Sequence, residues 1–135
     1  ILVNQQQVAL ASRVGAEEAS QTPGLSTHAG DPVPPNVLQA VEHQLGSSCI
    51  TPCRVILEHN VVPPPPPVIP VPVTLLSGSC GCSPPSVSTL PPTRRYVRVT
   101  VCVPVTELAP NLLEVFGLDT TNCMLHHSTT FRYEL

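Results

Sequence analysis

The sequence predicts a mostly β fold, an antiparallel sandwich or jelly-roll-like barrel with one short helix. Three observations lead there: runs alternating with a period of two, turn-rich and proline-rich stretches between them, and only one segment with a clear helical repeat. The 135 residues and 14.3 kDa suit a single modest core. With 3% aromatic residues and no Trp, that core must be built from Val, Leu and Ile. Such a core buries less area per residue, so cross-links or neighbouring subunits gain importance.

The chain opens with ILVNQQQVALASRV, residues 1–14. Val3, Gln7, Leu10 and Val14 would lie near one side of a helix, whereas Ile1 and Val3 alternate with Leu2 and Asn4 as in an extended segment. We lean to an extended N-terminal assembly arm with Ile1, Leu2, Val3 and Val8 as its apolar contacts, against a terminal strand or helix packed on its own core. The Gly, Pro and Ser of residues 15–35 then form a flexible linker that lets the arm reach beyond its own core. Residues 36–135 form the cysteine-containing β domain. The opening Ile1-Leu2-Val3, without methionine, is the expected mark of a processing boundary.

The helix is VLQAVEHQL, with Asn36 as its N-cap and Gly46 as its C-cap. Val37, Val41 and Leu45 recur every four residues and make one apolar stripe, enough to cover part of a sheet. CRVILEHNVV follows, with the β-branched density of a strand. Pro63 to Pro67 cannot occupy a central ladder, because each lacks an amide proton, so they form a stiff connector that gives way to a strand near Val71. SGSCGCSPPSVSTLPPTRR is a turn-rich excursion.

From Tyr96 the alternation places Val97, Val99, Val101, Val103 and Val105 on one face and Cys102 on the other. Pro104 marks an edge, a bulge or the end of the ladder. PNLLEVFG reads as a short helical turn stopped by Gly117, and TTFRYEL as a terminal strand.

Charge excludes some functions. All six basic residues are Arg, the formal net charge is -3, and no basic run exceeds Arg94-Arg95, so nucleic acid is not an expected partner. Charged residues make up 11% of the chain, against roughly 25% in an ordinary soluble domain. Little repulsion then keeps copies apart. The most apolar stretch, Val61 to Leu76, contains seven prolines and cannot form a transmembrane helix.

Six cysteines, Cys49, Cys53, Cys80, Cys82, Cys102 and Cys123, are disulfide candidates in an oxidising, extracellular or cell-surface setting. Sequence leaves their pairing open. Cys49-X3-Cys53 and Cys80-X-Cys82 offer four thiolates to a metal as the competing reading, and Cys123 with His126 and His127 a partial set, but neither spacing is the two-residue zinc knuckle. Cys123 beside these histidines also has the makings of a thiol nucleophile, without an oxyanion site. His28, His43 and His59 read as surface or hydrogen-bonded side chains. Glu17, Glu18, Glu42, Glu107, Glu114 and Asp119 form no recognisable acid–base pair, and no phosphate-binding loop is present.

No catalytic, metal or cofactor residue is therefore assigned, and no enzyme activity is expected. The expected function is a self-assembling extracellular structural subunit of a filament, coat or surface layer, held by disulfides and by exchange of the N-terminal arm. Its partners would be identical or closely related subunits. The alternative is a secreted or surface module that binds a protein or glycan.

Overall fold

The computed structural model describes residues 2–46, 50–61, 71–78, 80, 82, 95–104 and 124–132. Helices α1 (Leu2–Ser20) and α2 (Pro35–Gly46) precede strands β1 (Arg54–Val61), β2 (Val71–Gly78), β3 (Tyr96–Pro104) and β4 (Met124–Arg132). The strands make one antiparallel sheet in the order β2-β1-β3-β4. This is a mixed α/β fold with an open sheet, and it corrects the expected sandwich, jelly roll or barrel with one short helix. The face that a second sheet would cover in a sandwich is covered here by two helices.

Sequence left the start of α1 open between a helix and an extended arm, because the buried stripe of the helix is made of small residues. Val8, Ala11, Ser12, Gly15, Ala16, Ala19 and Ser20 are buried, pairs of neighbours recurring every four residues along one helical face. Leu10, which suggested a different face, is 43% exposed. Ser12 and Ser20 direct their hydroxyls to the carbonyls of Ala9 and Glu17, so neither polar group is stranded in the interior. The helix continues past residue 14, and Val8 is buried in the core cluster of this chain. Ile1 and the side chains of Leu2 and Val3 lie outside the described residues.

Residues 21–34, within the stretch read as a linker, connect α1 to α2. Leu25 and Val33 are buried in the main core. Helix α2 starts one residue earlier than its expected cap: the Pro34 carbonyl accepts from the amides of Val37 and Leu38 at 3.1 and 3.2 Å, and Pro35 occupies the first turn, where a missing amide proton costs nothing. Asn36 is consequently not the N-cap. Its side-chain amide donates to Glu18 Oε1 at 3.1 Å and Thr22 Oγ1 at 2.7 Å, joining the start of α2 to the end of α1.

The valine row of β3 explains how the layers meet. Val97, Val99, Val101 and Val103 face the helices and join Val55, Leu57, Val73 and Leu75 of the neighbouring strands with Val37, Val41 and Leu45 of α2. Cys102 projects the other way, into a separate cluster with Ile56 and Cys82. β3 is central, and its ladder ends at Pro104 opposite Met124. Val105, the proline run 63–67, the stretch 110–117 and residues 133–135 lie outside the described residues. The last strand begins earlier than TTFRYEL, at Met124.

Gly15 fixes how closely α1 approaches the sheet. A Cβ there would lie 2.7 Å from Val41 Cγ2 and 3.1 Å from Val99 Cγ1, below ordinary contact. Gly15→Ala should therefore lose stability, because overpacking of about 1–3 kcal/mol exceeds the gain of about 1 kcal/mol in helix propensity. Urea unfolding checks this, and a raised midpoint would show that the seat of α1 yields.

Candidate functional site

The most elaborate local construction sits at the end of the sheet where β1 starts, on the face away from the helices. Arg54 pairs with Cys102, and the Cys53 amide donates to the Cys102 carbonyl at 2.9 Å, so these two cysteines flank neighbouring strands. β2 ends at Gly78, whose φ of 110° and whose separation from Arg54 Cα leave no room for a Cβ, which would approach that atom to 2.7 Å. From there the chain supplies both remaining partners: Cys80 bonds to Cys53 and Cys82 to Cys102, with Cα separations of 5.6 and 6.4 Å. Cysteines two residues apart thus staple two adjacent strands. Arg54 Nη1 donates to the Cys82 carbonyl at 3.0 Å, and Ile56 and Leu76 pack against the sulfurs.

These bonds remove Cys53, Cys80 and Cys82 from the competing metal reading, since a disulfide sulfur is no thiolate ligand. Cys49 and Cys123 lie outside the described residues, and with Cys123 the thiol-nucleophile reading. Among the described residues no group of three or more His, Cys, Asp or Glu is placed to hold a metal ion. Nor is any helix among them long and apolar enough to cross a membrane.

Further along the same face Glu58 and Arg98 stand opposite each other in register. Arg98 Nε donates to Glu58 Oε1 at 3.0 Å and Nη2 to Oε2 at 2.7 Å, both side chains being buried. Such a fork-to-fork pair occupies the carboxylate. Thr100 and Ser128 continue the polar row with a 2.7 Å hydroxyl contact.

On the helix face, Ser12 Oγ lies 2.9 Å from His127 Nδ1 and 2.7 Å from Thr129 Oγ1. The spacing is that of a nucleophile and its base. However, Ser12 is buried and its one proton goes to the Ala9 carbonyl at 2.8 Å, so His127 Nδ1 and Thr129 are the donors to its lone pairs. This node fastens α1 to β4. His28, His43 and His126 are exposed.

His59 is different: it is 2% exposed, and its Nε2 donates to the Ser26 carbonyl at 2.8 Å. Its buried Nδ1 has no hydrogen-bond partner among the described residues. Burial holds its pKa below the ordinary 6.5, and nearby Arg95 lowers it further, against the raising effect of the Ser26 carbonyl. Sequence placed His59 among the surface or hydrogen-bonded histidines, and the structure shows it hydrogen-bonded to the Ser26 carbonyl, a partner nothing local reveals.

The Ser26 anchor is followed by residues that reach the outer side of β2. Gly30 donates its amide to the Thr74 carbonyl at 2.9 Å, Leu76 donates to Asp31 at 3.0 Å, and the Val33 amide reaches Ser77 Oγ at 2.9 Å. The outer edge of β2 is therefore covered by residues 30–33. The outer edge of β4 has no backbone partner among the described residues. A shallow cleft of about 210 Å³ lies beside the staple, lined by residues that include Leu38, Glu42, Cys53 and Arg54.

The chain matches no protein-family model, no curated protein and no solved structure.

Each disulfide closes its own loop, with separations of 27 and 20 residues, and restricts the unfolded chain by about 3 to 4 kcal/mol in the chain-entropy picture. Replacing Cys82 and Cys102 together by Ala should cost more than replacing Cys53 and Cys80, because Cys102 and Cys82 are buried and leave a cavity. Denaturant midpoints of the two double variants check the order. Limited reduction followed by alkylation and peptide mapping should label Cys53 and Cys80 first, since they are only half-buried.

The lowered pKa of His59 gives a stability component that is complete above the unfolded value of 6.5 and is lost as pH falls through the lower folded value. The unfolded chain takes up the proton first over that interval. Wild type should lose more stability than His59→Gln between about pH 7.5 and about pH 5 in urea titrations. Equal losses would remove His59 as the source.

Proposed function

We propose that this protein is a self-assembling extracellular structural subunit of a filament, coat or surface layer, with identical or closely related chains as its partners. The observation that carries this reading is the inequality of the two sheet edges: residues 30–33 cover β2, while β4 offers its ladder outward among the described residues. An unpaired edge is a template for another chain. Two disulfides support an oxidising location. The charged fraction of 11% supports close approach of copies.

Exchange of the N-terminal segment is the weaker route to assembly. Withdrawing α1 would strip Val8, Ala11, Ala16 and Ala19 from the core and break the Ser12 contacts with His127 and Thr129. Residues 2–20 therefore contribute most by staying packed on their own sheet. The alternative reading, a secreted module that binds a protein or glycan, draws on the cleft between α2 and the stapled strand ends, where Glu42 and Arg54 supply polar groups.

Light scattering and electron microscopy of the oxidised chain across a wide concentration range distinguish the two. Assembly into dimers and larger particles is expected. A chain that stays monomeric throughout would overturn the subunit reading and leave the binding module.

A further inference from the structure

We propose that the outer edge of β4 pairs antiparallel with the same edge of a second copy, about a two-fold axis at Ser128, to make one sheet continuous across both chains. The inference rests on the self-assembly reading and specifies its contact.

In an antiparallel strand alternate residues direct their N–H and C=O groups to one side. β3 engages one side of β4, so the groups on the other side face away from the sheet. Proteins guard such edges with lysine, proline, bulges or a covering segment. β2 has its covering segment in residues 30–33. The β4 sequence MLHHSTTFR has no Lys, no Pro and no acidic residue, and its one formal charge, Arg132, sits at its end. Edge protection was built into this fold at one side only, among the described residues.

The strand's own sequence selects how two copies meet. Ser128 is the midpoint of Met124–Arg132, so antiparallel pairing about it engages all nine residues. In that register His126 stands opposite Thr130, His127 opposite Thr129, Leu125 opposite Phe131, and Arg132 opposite Met124 of the other copy. No formal charge meets its like, and an apolar residue meets an aromatic one. Parallel in-register pairing would set Arg132 beside Arg132 and each histidine beside itself. Antiparallel pairing is favoured. Because the contact uses the same patch on both chains, it closes at two copies.

His126 and Thr130 are both exposed and lie on the face away from the helices, so substitutions there leave the core intact. In the full-length oxidised chain, His126→Lys with Thr130→Lys places like charges opposite each other twice across the axis. It should weaken dimerisation by about tenfold or more in analytical ultracentrifugation at low salt. His126→Lys with Thr130→Glu places opposite charges in the same positions and should keep or tighten the dimer, with the same circular dichroism as wild type. If both double variants self-associate like wild type, the β4 contact is wrong while self-assembly stands. If both weaken equally although folded, the Ser128 register is wrong. If wild type itself is monomeric, self-assembly and its contact fail together.

Discussion

Everything on the helical side of this protein depends on how closely α1 can approach β3. Gly15 sits where a methyl group would strike Val41 of α2 and Val99 of β3 at once, so one missing side chain sets the spacing among three elements. Around it Ala11, Ala16 and Ala19 keep the same surface low. Small residues give up apolar area of their own, but they let the valines of the sheet and of α2 close around the helix. Interiors are packed to near-crystalline density, and a gap there forfeits dispersion contacts on both sides. A chain without Trp and with few other rings thus reaches a closed core by proximity rather than by bulk.

The opposite face is organised by links and charges. Ile56 and Cys102 are fully buried there, yet the apolar cluster around them is small and four of its members are cysteines. Cross-links restrict the unfolded chain where little apolar area is available to favour the folded one. Glu58 and Arg98 add specificity more than stability, because a buried ion pair recovers its desolvation only with good geometry. Their bidentate contact exists in one register alone. Sliding β1 by one residue against β3 would put Glu58 opposite Val97 or Val99 and turn every side chain to the wrong face. The staple at one end of β1 and the ion pair further along it therefore enforce the same alignment.

How legible this was in the sequence follows from the size of the side chains involved. The valine row of β3, the outward turn of Cys102, the stripe Val37, Val41 and Leu45, and the strand beginning near Val71 are local patterns of large apolar residues, and each has its expected place. Helix α1 was obscured because its buried repeat consists of Ala, Ser and Gly, whereas Leu10 and Val14 drew attention to another face. With one secure helix and an undecided N-terminal segment, a second sheet was the natural cover for the valines. The Cys80-X-Cys82 spacing left its pairing open, since two sulfurs can converge on one ion or separate to two partners. Separation became decidable only when β1 and β3 proved to be neighbours. Asn36 was read as a cap because Pro34-Pro35 looked like a breaker before the helix, whereas Pro35 opens its first turn and Asn36 is engaged by the end of α1, which no local window shows.

The edges of the sheet connect these two halves. His59, on the helical face of β1, holds the Ser26 carbonyl, and the segment after it reaches the outer side of β2 at Gly30, Asp31 and Val33. The buried histidine is thus one anchor of the cover that blocks an edge. A proton on Nδ1 would create a donor without an acceptor among the described residues, in a setting where desolvation already disfavours the charged ring. At the far side, the Ser12 node fastens α1 to β4 through His127 and Thr129, side chains that point toward the helix and leave the outward backbone groups of that strand untouched. The interactions that secure β4 therefore do not consume its edge, whereas those that secure β2 do. Among the described residues the sheet is covered at its β2 side and uncovered at its β4 side, and in the proposed pairing a contact made by β4 on its own copy ends with two chains. Any longer filament or layer must then recruit a second, different surface, such as the exposed side of a helix or the stapled strand ends.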